Sequence, residues 1–420
     1  YYWPSKEKQD TWYTPEKGFG GDGHLDREDS TLIAVLVSLK AMQAAKDKLR
    51  PYYKYNKYYA DQANYNTSTD SYNKELAYNI PTDKIDSISD LNMTMDIITP
   101  LIFNLHKQRK ENGKSMTLDE FIAGEKTNYY LNTFGDTIRS TETWNHAELF
   151  QNCREEQTSN GYAYITDNWN LPIEFYKPDV VVEVNSGTMF NASKTINKDA
   201  TAAQISIDSK IFTDKYGKVG KNNFFYVEAS SVTANPVMQI ELKPNTDDAY
   251  MPNADVMSGK YDIQAVFVPM WYYDIVEKGA DEYLKIDGDT IVIDEEKIDS
   301  AKNKNILKLA CKIYYNSEKC SNTKPVDNYT VKQADTEGIN LNEYYVTKVD
   351  TVTLIKDFEF PCTYKNIRSR GSNQKKSYPI LEIKPNANKS YTSKGYSNSF
   401  CIDRIILRSK ETGQTTTIIP

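Results

Sequence analysis

After Gly161 the chain changes period, and that change limits the fold more than any single motif. Runs such as YAYITDNW, VVVEVNS, AQISID, NNFFYVEASSV, VMQIELKP, GKYDIQAVFVPMWYY, TIVID, ILKLACKIYY, YYVTKVDTVTLI, YPILEIKP and FCIDRIILRS follow one another. They are short, β-branched and aromatic, they alternate with polar residues, and Gly, Pro, Asn and Asp punctuate them. Alternation of this kind marks strands with one face buried, and many such strands between turn signals predict an antiparallel β-sandwich. Asp287-Gly288-Asp289, inside LKIDGDTIVID, reads as a hairpin turn, because Asp-Gly adopts the positive φ of a type I′ turn.

Before Gly161 the period is helical. The stretch 32–45, LIAVLVSLKAMQAA, is apolar all round and follows Asp29-Ser30-Thr31 as caps, which predicts a buried helix. Within 87–106, Met93, Ile97, Ile98, Leu101, Ile102 and Leu105 recur at helical spacing, and Pro100 is placed to kink or divide that helix. Thr117 with Glu120 three residues on is a capping box opening a short helix over 117–126. The two regimes meet within 172–178. The first 150 residues read as mostly helical, and a chain of 420 residues is expected to divide into a first domain, 1–175, and an antiparallel β domain, 176–420, with an internal subdivision near 280–300.

Several function classes fall away on composition. A net charge of −7 provides no basic field to collect phosphates, so nucleic acid is not an expected partner. No apolar run approaches the roughly 20 residues of a membrane-spanning helix. The five cysteines form no C-x-x-C pair, so no metal cluster is expected; Cys311 and Cys320 are spaced to close a hairpin, but the free-thiol reading is preferred.

Chemistry at single residues is sparse. His24, His106 and His146 are the only imidazoles, and neither a G-x-S-x-G elbow nor a papain-like Cys context accompanies them. Asp357 and Glu359 alternate with Phe358 and Phe360, so on a strand both acids share a side, suited to ligand hydroxyls or to solvent. The loop from Gly20 to Asp29 gathers acids but lacks EF-hand spacing, and it reads as a solvated cap to the next helix. The most suggestive feature is aromatic: 32 Tyr in all, with PYYKYNKYY at 51–59 and WYY at 271–273. Tyr52, Tyr53, Trp271 and Tyr272 are the candidate ligand-binding residues, since exposed rings stack on sugars or pack against a partner. The alternative is that these rings cover the protein's own helix ends.

At SNGYAYITDNWNLP, 159–172, the chain resembles the closing strand of a fasciclin (FAS1) domain, where a segment like NGxxYxID precedes a Pro-bearing exit. Further on, MSGKYDIQAVFVP at 257–269, KVDTVTLIKDFEFPCTYKNI at 348–367 and FCIDRIILRSKE at 400–411 are similar, in that order, to the C-terminal sandwich of fasciclin-like lipoproteins of Bacteroidetes. One departure is that Cys401 precedes Ile402-Asp403 where the family pattern has Cys after them, which weakens any role for this thiol. The resemblance implies an α+β protein: a fasciclin-like mixed α/β domain lacking its first strands, then a jelly-roll-like antiparallel β-sandwich. It further implies a non-catalytic binding or accessory lipoprotein on the extracellular face of the outer membrane, without cofactor or metal. Its membrane anchor is expected on a lipidated upstream Cys. The implied partners are SusC/SusD-type importer subunits, with polysaccharide as a direct ligand. An adhesion or structural surface protein is the rival reading, and a glycan-active enzyme comes third.

Overall fold

The structure is a computed structural model. It describes residues 13–14, 18–19, 31–55, 65–66, 71–72, 82–113, 115–133, 137–141, 143–158, 161–185, 189–193, 195–201, 217, 219–220, 223–231, 234–243, 256–278, 281–287, 290–297, 306–315, 327–329, 348–364, 379–385 and 396–410. The chain is a mixed α+β protein of two compact units. Unit 1 comprises Tyr1–Lys54, Pro81–Pro178 and Thr246–Asn253, and unit 2 comprises Tyr55–Ile80, Asp179–Asn245 and Ala254–Pro420.

Unit 1 runs β1 (Leu32–Val37), α1 (Leu39–Leu49), α2 (Thr82–Ile98), β2 (Ile102–Asn104), α3 (Leu105–Asn112), α4 (Leu118–Ile122), β3 (Tyr129–Leu131), β4 (Thr137–Arg139), β5 (Arg154–Thr158), β6 (Gly161–Thr166) and α5 (Ile173–Tyr176). Its main sheet has the order β2-β1-β6-β5, in which β1 and β6 are parallel and the other pairs antiparallel. The stretch 32–45 is thus not one helix. Its first six residues are a strand, and Ser38 then starts α1 by accepting a hydrogen bond from the Ala41 amide. A strand lying between two others in a sheet carries an apolar run that periodicity does not separate from a buried helix. Gly161 is required at its place, because a Cβ there would stand 1.9 Å from the Leu32 carbonyl oxygen.

Pro100 divides the second helical stretch as its chemistry demands: α2 stops at Ile98, a 3-10 turn spans Thr99–Leu101, and Ile102 enters a strand. The capping box at α4 is complete, with Thr117 Oγ1 accepting from the Glu120 amide and Glu120 accepting from the Thr117 amide. Phe103, Phe121, Tyr130, Phe150 and Tyr164 interlock in the core with centroids 4.8–6.1 Å apart. All residues of the edge strand β5, REEQT, are exposed; a charged edge of this kind discourages pairing with another chain.

Unit 2 runs β7 (Val180–Glu183), β8 (Met189–Ser193), β9 (Thr195–Thr201), β10 (Asn223–Ala229), β11 (Val237–Glu241), β12 (Gly259–Val268), α6 (Met270–Lys278), β13 (Leu284–Asp287), β14 (Thr290–Ile293), β15 (Leu309–Tyr315), β16 (Asp327–Tyr329), β17 (Asp350–Phe360), β18 (Ile380–Pro385) and β19 (Phe400–Ser409). Two antiparallel sheets dominate it. One has the order β9-β10-β19-β12-β17 with β7 also on β19, and the other has the order β8-β11-β18-β15-β16. Both sheets feed one apolar core, which takes Phe225, Ile263, Leu354 and Ile402 from the first and Ile240, Ile313, Leu381 and Ile383 from the second. Each such side chain, taken fully out of water, contributes about 1.5–3 kcal/mol against the chain entropy.

Alternate residues of β10 serve two cores. Phe225 and Val227 face the inter-sheet core, while Phe224 and Tyr226 join Val268, Trp271, Tyr272, Tyr273 and Cys401 in a second cluster, to which α6 contributes its aromatic residues. The first large sheet is therefore covered on both sides there. β13 and β14 pair with Asp287 opposite Thr290, which leaves two residues for the turn; Gly288 and Asp289 lie outside the described residues. The same holds for the Gly20–Asp29 loop with His24, for Tyr58 and Tyr59, and for Cys320. Among the described residues no helix is long and apolar enough to cross a membrane.

Candidate functional site

The four aromatic candidates are not surface platforms. Relative exposure is 9% at Tyr52, 1% at Tyr53, 1% at Trp271 and 4% at Tyr272, which leaves no ring face for a sugar. Tyr52 ends the 3-10 turn that closes α1, and the buried Lys177 ammonium lies 5.5 Å from its ring centre. Tyr53 ties α1 to α2: its hydroxyl donates to Asp96 Oδ2 at 2.7 Å, and its carbonyl accepts from Ser89 Oγ at 2.6 Å. Trp271 and Tyr272 pack beside Tyr273, which stacks on Tyr226 at 3.9 Å, while Phe224 meets Tyr272 edge-on at 5.8 Å. Burial pushes the Tyr272 hydroxyl up to about 12, helped by the nearby Asp403 carboxyl. In each pair the ring's cover comes from an element distant in sequence, so local flanking residues misjudged its exposure.

The remaining chemical candidates divide between the core and the surface. His146 is buried in the aromatic core of unit 1 against Tyr130, and Ser140 Oγ lies 2.7 Å from its Nδ1 while accepting from its backbone amide at 3.0 Å. Desolvation lowers its proton affinity below that of an ordinary imidazole. His106 is exposed on α3. Asp357 and Glu359 are both exposed; Asp357 sits at φ 52° in a bulge of β17, its amide donates to Asp262 Oδ1 at 2.9 Å, and Lys410 Nζ bridges Asp262 and Asp357 at 3.1 and 3.7 Å. Cys311 is a buried free thiol, pushed up to about 12 by burial. Cys401 is buried too, its Sγ 3.7 Å from Met270 Sδ. Among the described residues no group of three or more His, Cys, Asp or Glu is arranged to hold a metal ion.

Two features escaped sequence reasoning. The first is an open depression of about 530 Å³ on unit 1, lined by Arg50, Asp86, Ser87, Asp90, Leu91 and Thr94. Asp90 is ion-paired there with Lys46 at 2.6 Å and with Arg50 at 3.6 Å, and Leu91 is exposed beside them. No family model and no curated protein matches this chain. Among solved structures it is similar to a xanthan lyase of Paenibacillus, at 7% identity and a TM-score of 0.20, over 59% of this chain and 15% of that one. That likeness is too slight to bear on fold or function.

The second feature is Asp403. Its side chain is fully buried in β19, Oδ2 accepts from the Gly220 amide at 3.1 Å, and Oδ1 has no hydrogen-bond partner among the described residues. One carboxylate among the apolar residues of FCIDRIIL was the available signal, since a buried acid must be paired or neutral.

Proposed function

We propose that this chain is a non-catalytic binding protein of the bacterial cell surface, fasciclin-like in its first unit and a jelly-roll-like β-sandwich in its second, which docks on a SusC/SusD-type outer-membrane importer. The observation that carries this reading is the adjacency of the three resembling segments. Although separated by up to about 140 residues in sequence, GKYDIQAVFV, DTVTLIKDFEF and FCIDRIILRS are the neighbouring strands β17-β12-β19 of one sheet. Within the fourth segment, GYAYIT likewise forms β6, an interior strand of its sheet. The resembling segments of unit 2 therefore lie side by side in one sheet, which supports reading them as one framework.

Burial of Tyr52, Tyr53, Trp271 and Tyr272 removes the support for glycan stacking at those rings and moves the reading to docking on protein. The depression beside α2 suits such a partner: an exposed Leu91 framed by charged groups has the layout of an apolar anchor with a polar rim. Gentle detergent extraction of native membranes, followed by affinity isolation and mass spectrometry, tests it. Importer subunits should accompany the wild-type chain and be lost with Leu91→Asp. Recovery of the folded chain alone would overturn docking and favour adhesion.

A further inference from the structure

β19 changes neighbours at Asp403. On one side its residues Arg404 to Leu407 pair with β7 and Phe400 to Ile402 pair with β10; on the other, the register with β12 slips so that Arg404 faces Val266 and Ile402 faces Phe267. Asp403 is therefore the extra residue of a bulge, at a gap in the ladder. Its carbonyl accepts from the Val184 amide at 2.9 Å. Its side chain turns inward to the Gly220 amide, and Gly220 approaches so closely that a Cβ there would lie 2.6 Å from Arg404 Nη1 and 3.4 and 3.5 Å from the carboxylate oxygens. Val219, next to it, packs in the cluster of Trp271 and Tyr272.

We propose that Asp403 is a proton-operated clasp, which holds the backbone at Gly220 over the junction of β7, β10 and β19 while protonated and lets it open more often once ionised. Among the described residues, the charged and titratable groups around it are Arg404 on β19 itself, 3.5 Å from Oδ2, Glu183 on β7, and Tyr272 on α6. Arg404 and the Gly220 amide favour the carboxylate, whereas Glu183 and above all desolvation oppose it, with one oxygen unpartnered among the described residues. Burial wins, and the carboxyl is pushed up to about 7. When the segment lifts, the carboxyl meets water and regains an ordinary value near 4, so the open form holds fewer protons between those limits. Opening therefore becomes easier as the pH rises from about 4 to about 7. Lifting Gly220 also draws Val219 from the aromatic cluster that holds Tyr272 and Trp271.

Hydrogen exchange read by mass spectrometry on the full chain, normalised to the exchange of the unfolded chain at each pH, tests the clasp. The opening constant of the segment containing Gly220 should rise about a hundredfold between pH 5 and 8. Asp403→Asn should abolish that pH dependence, and Arg404→Gln, which removes the group favouring ionisation, should move the midpoint upward. A flat wild-type profile, an unchanged slope in Asp403→Asn, or an unmoved midpoint in Arg404→Gln would each overturn the proposal. Should Asp403→Asn not fold, the Arg404→Gln midpoint decides.

Discussion

Replacing Trp271 by Ala separates a structural ring from a ligand platform. The indole is 1% exposed, in contact with Tyr272 at a centroid distance of 5.8 Å and enclosed with Phe224, Val268 and Cys401. A Trp side chain buries roughly 150–250 Å², which at about 25 cal/mol per Å² corresponds to about 4–6 kcal/mol. The Ala side chain retains part of that burial, and partial collapse of the cavity recovers more, so a loss of about 3–5 kcal/mol is expected. Urea titration followed by a probe in unit 2 reads the change, with the midpoint falling and the slope held. Ile286→Ala is the control, because this side chain is 81% exposed on the β13-β14 hairpin and should shift stability by no more than about 0.5 kcal/mol. The reasoning would be refuted if Trp271→Ala cost under about 1 kcal/mol while selectively removing binding to a polysaccharide or partner, since that is the signature of an exposed ring at an interface.

Gly161→Ala should separate β1 from β6, given the 1.9 Å approach to Leu32; thermal unfolding and amide exchange in 32–37 would show the damage. Thr117→Ala removes the reciprocal cap of α4 and should cost about 1 kcal/mol, read by denaturant titration; an unchanged midpoint would mean that water replaces the cap. His146 supplies a pH test. Burial holds its folded-state value below the ordinary 6.5, so as the pH falls through 6.5 the unfolded chain takes up the proton first and unit 1 loses stability. His146→Gln should flatten that part of the melting-temperature profile below pH 6.5.

Local signals were readable because their physics is local. Thr117 and Glu120 satisfy amides within one turn, Pro100 lacks the N–H that a helix interior needs, and the alternation in GKYDIQAVFV follows from a strand's two faces. Tertiary structure decided the rest. LIAVLV has no period to distinguish a buried strand from a buried helix, and only its place between β2 and β6 makes it β1. Tyr52 and Trp271 look exposed among their polar or proline neighbours, yet their covers, Lys177 and the outer face of β10, come from far along the chain. Asp403 is one acid in an apolar strand until β7, β10 and Gly220 close around it, because burial and charge compensation belong to the assembled environment and not to the residue.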